Sequence, residues 1–507
     1  MEQKPSAMKE FEERSKRLSA LIDSDPKEAI NQARCLRVEG VHPANIEMVT
    51  AGTLVDAGRA ARAVDAVNEG ILIFESLRAR FPEKVDLAYN LANGLMARAH
   101  LSWTRYPDWY LDTLDDRTQA RHLFGIVATS EEAEVVLRTQ AYTNLGNALS
   151  DAYRFNEAYD HYLRALDLDP TNGTAHVHAA NVLIKSARRG VTDVDAVLAV
   201  ASQHIKNAKL HPDRIRAFVG ETGLKRMSDT LNLELPPADP PDLSLATDYQ
   251  RFIASHRLFL ADTIDGLDLS MARWDSLRLD GISDGPDAVK GVPPLFAMFN
   301  VLKADYLAAR HIAYLALSSD VAESGNYSDT LDTARYGVVP ALLTLAQRAC
   351  LDVLDKIAVL SSAYLGVPGD PERIYFRSTW FEKGQKPAPL RWKETIHKEL
   401  EAGNSALVAI SELSRDIQDG GFLEHKREMR HASTHRFTVL HQTDTDSSRF
   451  SDYIDRYRLD YFVRHLIETL QMSRSAIIYT THMIALHESI HDDGSPRMSL
   501  EVPDHDV

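Results

Sequence analysis

Between Ala141 and Pro170 the chain reads AYTNLGNALSDAYRFNEAYDHYLRALDLDP, and this stretch constrains the fold more than any other. Two helical runs flank a short polar break, and apolar residues recur at helical spacing on both sides of it. Gly146 and Ala158 are small where two antiparallel helices have to touch, and Pro170 stops the second helix because it cannot continue the hydrogen-bond ladder. A helix pair of this kind cannot bury its own apolar faces. It needs stacked neighbours, about three units or more.

Tyr142, Leu145, Gly146, Leu149, Ala158, Tyr162, Ala165 and Pro170 stand at the offsets of the tetratricopeptide repeat, which the segment resembles. Weaker echoes lie on both sides. Leu54, Gly58 and Ala63 fall in register, LAYNLANGLMARA (87–99) repeats the theme, and residues 176–187 with 194–212 form a further pair. The stretch before Thr139 is too long for one repeat and therefore carries an insertion. Residues 10–232 are thus expected to form a TPR-like helical solenoid, whose curvature offers a groove for a protein or peptide ligand. Asn144, Asn147 and Asn181, with Asn90 and Asn93, lie on the first helices of the pairs. They are candidates for that groove, or equally for surface and capping positions.

At about 150 residues per domain, the 507 residues leave room for roughly two to four domains. With 44% hydrophobic and 26% charged residues the chain is globular in composition, not disordered. The formal charge of −16 excludes a protein that coats nucleic acid with its whole surface, so any nucleic acid must be met at a local basic site. Two cysteines, Cys35 and Cys350, make neither a disulfide framework nor a Cys-rich metal site. That fits a cytoplasmic location. There is no secretory pattern at the N-terminus and no apolar run long enough for a membrane span. The run LELPPADPPDL, residues 233–243, carries Pro236, Pro237, Pro240 and Pro241 and reads as a stiff linker.

Beyond it, residues 244–495 are expected to form an all-α bundle. Long helices are predicted near Leu243–Leu277, Phe296–Leu317, Val338–Ala363, Leu390–Leu413 and Leu459–His491. No segment shows the sustained alternation of a large sheet. After the double glycine of QDGGF (418–422) comes EHKREMRHASTHRFTVLH, with Arg430-His431-Ala432-Ser433-Thr434-His435 inside it. Arg, a polar residue, three variable positions and His is the R-x(4–6)-H pattern of HEPN domains. Helix order and the coupling to a helical-repeat partner resemble the LA2681-like HEPN proteins over residues ~240–495.

The resemblance implies a metal-independent endoribonuclease, with no cofactor, leaving 2′,3′-cyclic phosphate and 5′-OH ends. His435 is then the proton-transfer residue, Arg430 the phosphate clamp and His431 a polar helper. The residue types suit these roles, because histidine moves protons near neutral pH and arginine grips two phosphoryl oxygens through a planar fork. Positions five apart on a helix lie about 140° apart. Arg430 and His435 therefore meet either if Arg430 sits in a helix's first turn or if a second protomer completes the site. Either way a homodimer is inferred.

The spacing of His431 and His435 also suits a metal, but Ala432 stands where H-E-x-x-H has its glutamate and no cysteine lies near. His482, His487 and His491 are expected as surface or packing residues of the last helix. Residues 372–400 carry seven Lys/Arg and four Asp/Glu, interleaved with Tyr375, Trp380, Phe381 and Trp392. Trp380 and Trp392 are candidates for stacking on RNA bases, with Arg427 and Arg436 for its backbone; packing of the loop on the bundle is the other reading. No P-loop, dinucleotide or nucleophile-elbow motif occurs. The expected role is prokaryotic antiviral defence or toxin action. The rival is a non-catalytic TPR scaffold that dimerises through a HEPN-like bundle.

Overall fold

A computed structural model describes residues 5–188, 194–237, 242–261, 263–265, 274–279, 281–282, 292–318, 321–382, 390–443, 449–451, 453–492 and 494, with side chains except at 5, 431–435 and 449–451. Part of the proline run, at 238–241, lies outside the described residues.

Helices α1 (Pro5–Ser24) and α2 (Pro26–Arg34) open the chain. Paired helices follow: α3 (Pro43–Ala61) with α4 (Val64–Arg80), α5 (Val85–Leu101) with α7 (Leu114–Thr129), α8 (Val135–Asp151) with α9 (Phe155–Leu168), and α10 (Gly173–Ala187) with α11 (Val194–Lys209). α12 (Pro212–Leu231) packs on α10 and α11. This is the expected repeat-like helical array. Gly146 shows why the motif residues matter, because a Cβ there would stand 2.5 Å from the Tyr162 ring. The predicted insertion lies between α5 and α7 and includes the short helix α6 (Asp108–Asp112). Its Trp109 and Tyr110 are buried in the core of the C-terminal half.

That half contains α13 (Asp248–Ser255), α14 (Pro294–Leu317), α15 (Val338–Leu365), α16 (Glu394–Glu401), α17 (Ala406–Asp416), α18 (Glu424–His435) and α19 (Leu459–Ile490). α19 packs against α14, α15 and α17, and α18 lies on α15. Strands β1 (Ala334–Arg335), β2 (Phe437–His441), β3 (Arg449–Ser451) and β4 (Ile454–Arg458) form a small sheet in the order β1-β2-β4-β3. β2 and β4 are parallel, with Phe437 opposite Ile454 and His441 opposite Arg458. Strands of two to five residues are too short to announce themselves by alternation. The regular structure of the described residues is otherwise helical, as expected.

Two predicted helices differ. Among its described residues, the run near Leu243–Leu277 is helical only over Asp248–Ser255. Leu258, Phe259 and Leu260 are apolar because they are buried in irregular backbone, whose carbonyls receive bonds from side chains: Tyr306 Oη and Arg310 Nη1 to Leu258 at 3.0 and 2.9 Å, and Arg474 Nε to Phe259 at 2.7 Å. The Leu390–Leu413 segment is two helices, interrupted where Gly403 takes φ +110° and Asn404 turns its amide onto the Met483 carbonyl at 2.9 Å.

The array and the bundle meet on a buried ionic seam. Arg121 reaches Glu412 at 2.9 Å and Asp416 at 2.8 Å, Arg117 also pairs with Glu412, and Arg154 pairs with Asp416 and, at 2.6 Å, with Glu157. Burial opposes the charge on Arg154, but Glu157 and Asp416 outweigh it and raise its pKa. Phe422 packs beside this seam against both cores, edge-on to His161 at 6.3 Å.

Candidate active site on helix α18

α18 begins at Glu424, whose carboxylate accepts a bond from the Gly420 amide at 2.8 Å. Arg430 is therefore its seventh residue and His435 its last. Of the two arrangements weighed from the sequence, the one with Arg430 in a helix's first turn does not occur. The double glycine ends the preceding segment, but Glu424–Met429 form a first turn and a half before the motif begins. The side chains of His431 and His435 lie outside the described residues.

The inner face of α18 is not a solvated basic surface. Lys426 and Met429 are each 1% exposed. The Lys426 ammonium bonds Glu468 at 3.0 Å, and Arg164 of α9 approaches the same carboxylate at 3.5 Å. Burial works against ionisation of Glu468, yet these two cations hold its carboxyl well below the usual range. Burial lowers Lys426. His425 Nε2 contacts His465 Nδ1 at 3.0 Å, and burial with the neighbouring Lys426 charge pushes His425 down to about 2. This network ties α18 to α19 and to the helical array.

Arg430 projects onto α15, where its guanidinium bonds Asp352 at 2.8 Å and Asp355 at 3.0 Å. These acids, one turn apart, both bind Nη2 and hold the guanidinium against α15. Arg430 lines a cleft of about 270 Å³ together with Asp355, Tyr375, Arg377, Gln418 and Arg427. Arg377 and Tyr375 are exposed, Tyr375 at 48%. Three arginines and one open aromatic ring on a single cleft are suited to a phosphate and an adjoining base.

The other predicted residues divide. Arg427 lines the cleft and pairs with Asp419 and, at 3.5 Å, with Glu424. Arg436 pairs with Asp455 at 2.8 Å, tying the end of α18 to β4. Trp380 and Trp392 are corrected: at 0% and 6% exposure they are core residues with no ring face for a base. Trp380 Nε1 donates to the Phe376 carbonyl at 2.7 Å, and Trp392 stacks on Phe381 at 4.8 Å. The aromatic stripe is sorted by packing, and Tyr375 is the member left open.

The asparagines are bonded within the array. Asn144 donates to Asn93 at 2.9 Å and Tyr89 at 3.1 Å, Asn147 accepts from Tyr162 at 2.8 Å, and Asn181 accepts from Thr230 at 2.7 Å. All three are half-buried.

Among the described residues, two clusters have the donor types of a metal centre: His425, His465 and Glu468 beside the motif, and Glu399, His487 and His491 at the end of α19. Sequence reasoning passes over the second, although His487-Glu488-Ser489-Ile490-His491 spells H-E-x-x-H. Its third member, Glu399, is remote in the chain.

Residues 287–487 match the LA2681-like HEPN family model. This region is similar to LA2681-like HEPN domains. It contains α14 through all but the last turn of α19, and thus α18, the cleft and the small sheet. No curated protein matches the chain. Among the described residues, no helix is long and apolar enough to cross a membrane.

Proposed function

We propose that the protein is a metal-independent HEPN-type endoribonuclease whose N-terminal TPR-like array, residues 10–232, docks or senses a protein or peptide partner. The observation that carries this is the position of Arg430: it belongs to an R-x4-H motif inside the HEPN match and opens onto a cleft with Arg377, Arg427 and Tyr375. Arg430 clamps the scissile phosphate, Tyr375 stacks on a flanking base, and His435 moves the 2′-OH proton. His431 assists. The products carry 2′,3′-cyclic phosphate and 5′-OH ends.

Because both motif residues lie within α18, their positions are about 140° apart. That Arg430 is not in the first turn of α18 supports a homodimer whose partner subunit completes the cleft. Cleavage of RNA in a cytoplasm would halt growth, which suits prokaryotic antiviral defence or toxin action. The buried seam of Arg117, Arg121 and Arg154 with Glu412 and Asp416 is a rigid route from array to domain.

The test is to incubate purified full-length protein with bulk tRNA and mRNA in EDTA and to map the ends. Cyclic phosphate and 5′-OH ends are expected. Intact RNA, or cleavage that needs Mg²⁺ or Mn²⁺, overturns the reading in favour of a scaffold or a metal nuclease.

A further inference from the structure

The last helix ends on two histidines four residues apart, His487 and His491, which share a face of α19. Opposite them stands Glu399 of α16. Its Oε2 meets His487 Nδ1 at 2.9 Å and its Oε1 meets His491 Nε2 at 2.8 Å. The imidazole rings lie 4.4 Å apart, and the three ligand atoms fall within 4.8 Å of one another. The Glu399 side chain is 9% exposed, His487 25% and His491 51%, so the cluster is backed by the fold and open on one side. Asn404 supports the carboxylate from behind at 3.4 Å. Burial disfavours ionised Glu399, but the hydrogen bonds from both imidazoles outweigh that and hold its carboxyl below the usual range.

We propose that Glu399, His487 and His491 form a binding site for a divalent transition metal of the Zn²⁺ class, which pins the end of α19 to α16. Zinc bonds of about 2.0–2.2 Å to nitrogen and oxygen place neighbouring ligand atoms of a tetrahedron about 3.3 Å apart. The observed 2.8 and 2.9 Å are within about half an ångström of that, so small side-chain rotations admit the ion. Two imidazoles, one carboxylate and an open fourth position for water are the donor set of H-E-x-x-H zinc sites. Glu488 flanks the cluster, its carboxylate accepting from Tyr364 Oη at 2.6 Å.

The second His–Glu cluster shows what distinguishes a metal site from a structural one. His425, His465 and Glu468 have the same composition, but there the Lys426 ammonium lies 3.0 Å from Glu468 and Arg164 adds a second cation. The chain supplies its own positive charge. Around Glu399, among the described residues, the partners are two imidazoles and an amide, with no lysine or arginine.

The test uses untagged full-length protein, stripped with a chelator and dialysed, then titrated with Zn²⁺ against a chromophoric competitor. One equivalent is expected to bind, and to raise the unfolding temperature. His491→Gln and His487→Gln should each weaken binding by more than about 100-fold, beyond what loss of an outer-shell partner brings. His465→Gln should bind like wild type. His491 is half-exposed beyond the helix end, so its variant keeps the fold, which circular dichroism checks. Absence of Zn²⁺ binding by the wild type, or unchanged binding by the His491→Gln and His487→Gln variants, overturns the site. The readout is independent of RNA cleavage, so failure here and failure of the nuclease reading are told apart.

Discussion

Arg121 of α7 and Asp416 of α17 form an ion pair at 2.8 Å with both side chains fully buried. It joins the helical array to the HEPN-like bundle across almost three hundred residues of sequence. Replacing Asp416 by Ala strands Arg121 and Arg154 without their shared carboxylate in a dry seam. Loss of one partner of a buried pair costs about 3–5 kcal/mol. Asp416→Ala is therefore expected to unfold at much lower denaturant and to become cleavable by protease between the two halves. Wild-type resistance in both assays would show that the seam carries little of the coupling.

His435→Ala is expected to abolish RNA cleavage while leaving the oligomeric state unchanged in light scattering. General acid–base catalysis supplies about 10²–10⁴-fold in rate. An alanine variant that turns over RNA like wild type removes His435 from the mechanism.

Arg430→Lys should be nearly as damaging as Arg430→Ala. Asp352 and Asp355 hold the guanidinium through Nη2, and a lysine ammonium in the same place keeps the charge but not the planar fork. Removing a preorganised donor from a developing oxyanion costs about 3–4 kcal/mol. Both variants are assayed on bulk RNA at low and physiological salt. Near-normal cleavage by the Lys variant makes Arg430 an electrostatic anchor only.

Trp380→Ala should lower stability by about 3–5 kcal/mol, the range for truncating a buried large aromatic, because its ring is 0% exposed. RNA affinity of the folded fraction should stay unchanged. Tyr375→Ala should do the reverse, weakening RNA binding with little effect on the unfolding midpoint. Equal effects of the two substitutions on RNA affinity would contradict the sorting of this stripe by burial.

Stability should fall as the pH drops below about 6.5. His204 is buried and bonded to Tyr159 and His176, and burial pushes its pKa down to about 3 from an ordinary 6.5. His161 is likewise held well below 6.5 by burial. Between those limits the unfolded chain binds protons that the folded chain refuses, so each imidazole withdraws up to about 1.4 kcal/mol per pH unit. Denaturation at pH 7.5, 6 and 5 should show this slope, and His204→Gln should flatten it. An unchanged slope in the variant would mean that other groups dominate the acid response.

The residues of the R-x4-H motif, the small residues of the repeat and the long helices α14, α15 and α19 were all legible in the chain. They depend on local spacing: small residues where helices touch, apolar residues at helical period, Arg and His at a fixed interval. What stayed hidden rests on residues distant in sequence. Arg430 is held by acids 75 and 78 positions away, and the H-E-x-x-H of the last turn finds its third donor 88 and 92 positions away at Glu399. Leu258–Leu260 read as helix because burial alone makes a segment apolar, whatever its backbone does. Trp380 and Trp392 stand among cations in the sequence but turn inward in the fold. Spacing along the chain determined which chemical groups are available and on which helices. Tertiary packing decided which of them face a cleft, which fill a core and which meet a partner, because burial and charge pairing are properties of neighbours in space and not of neighbours in sequence.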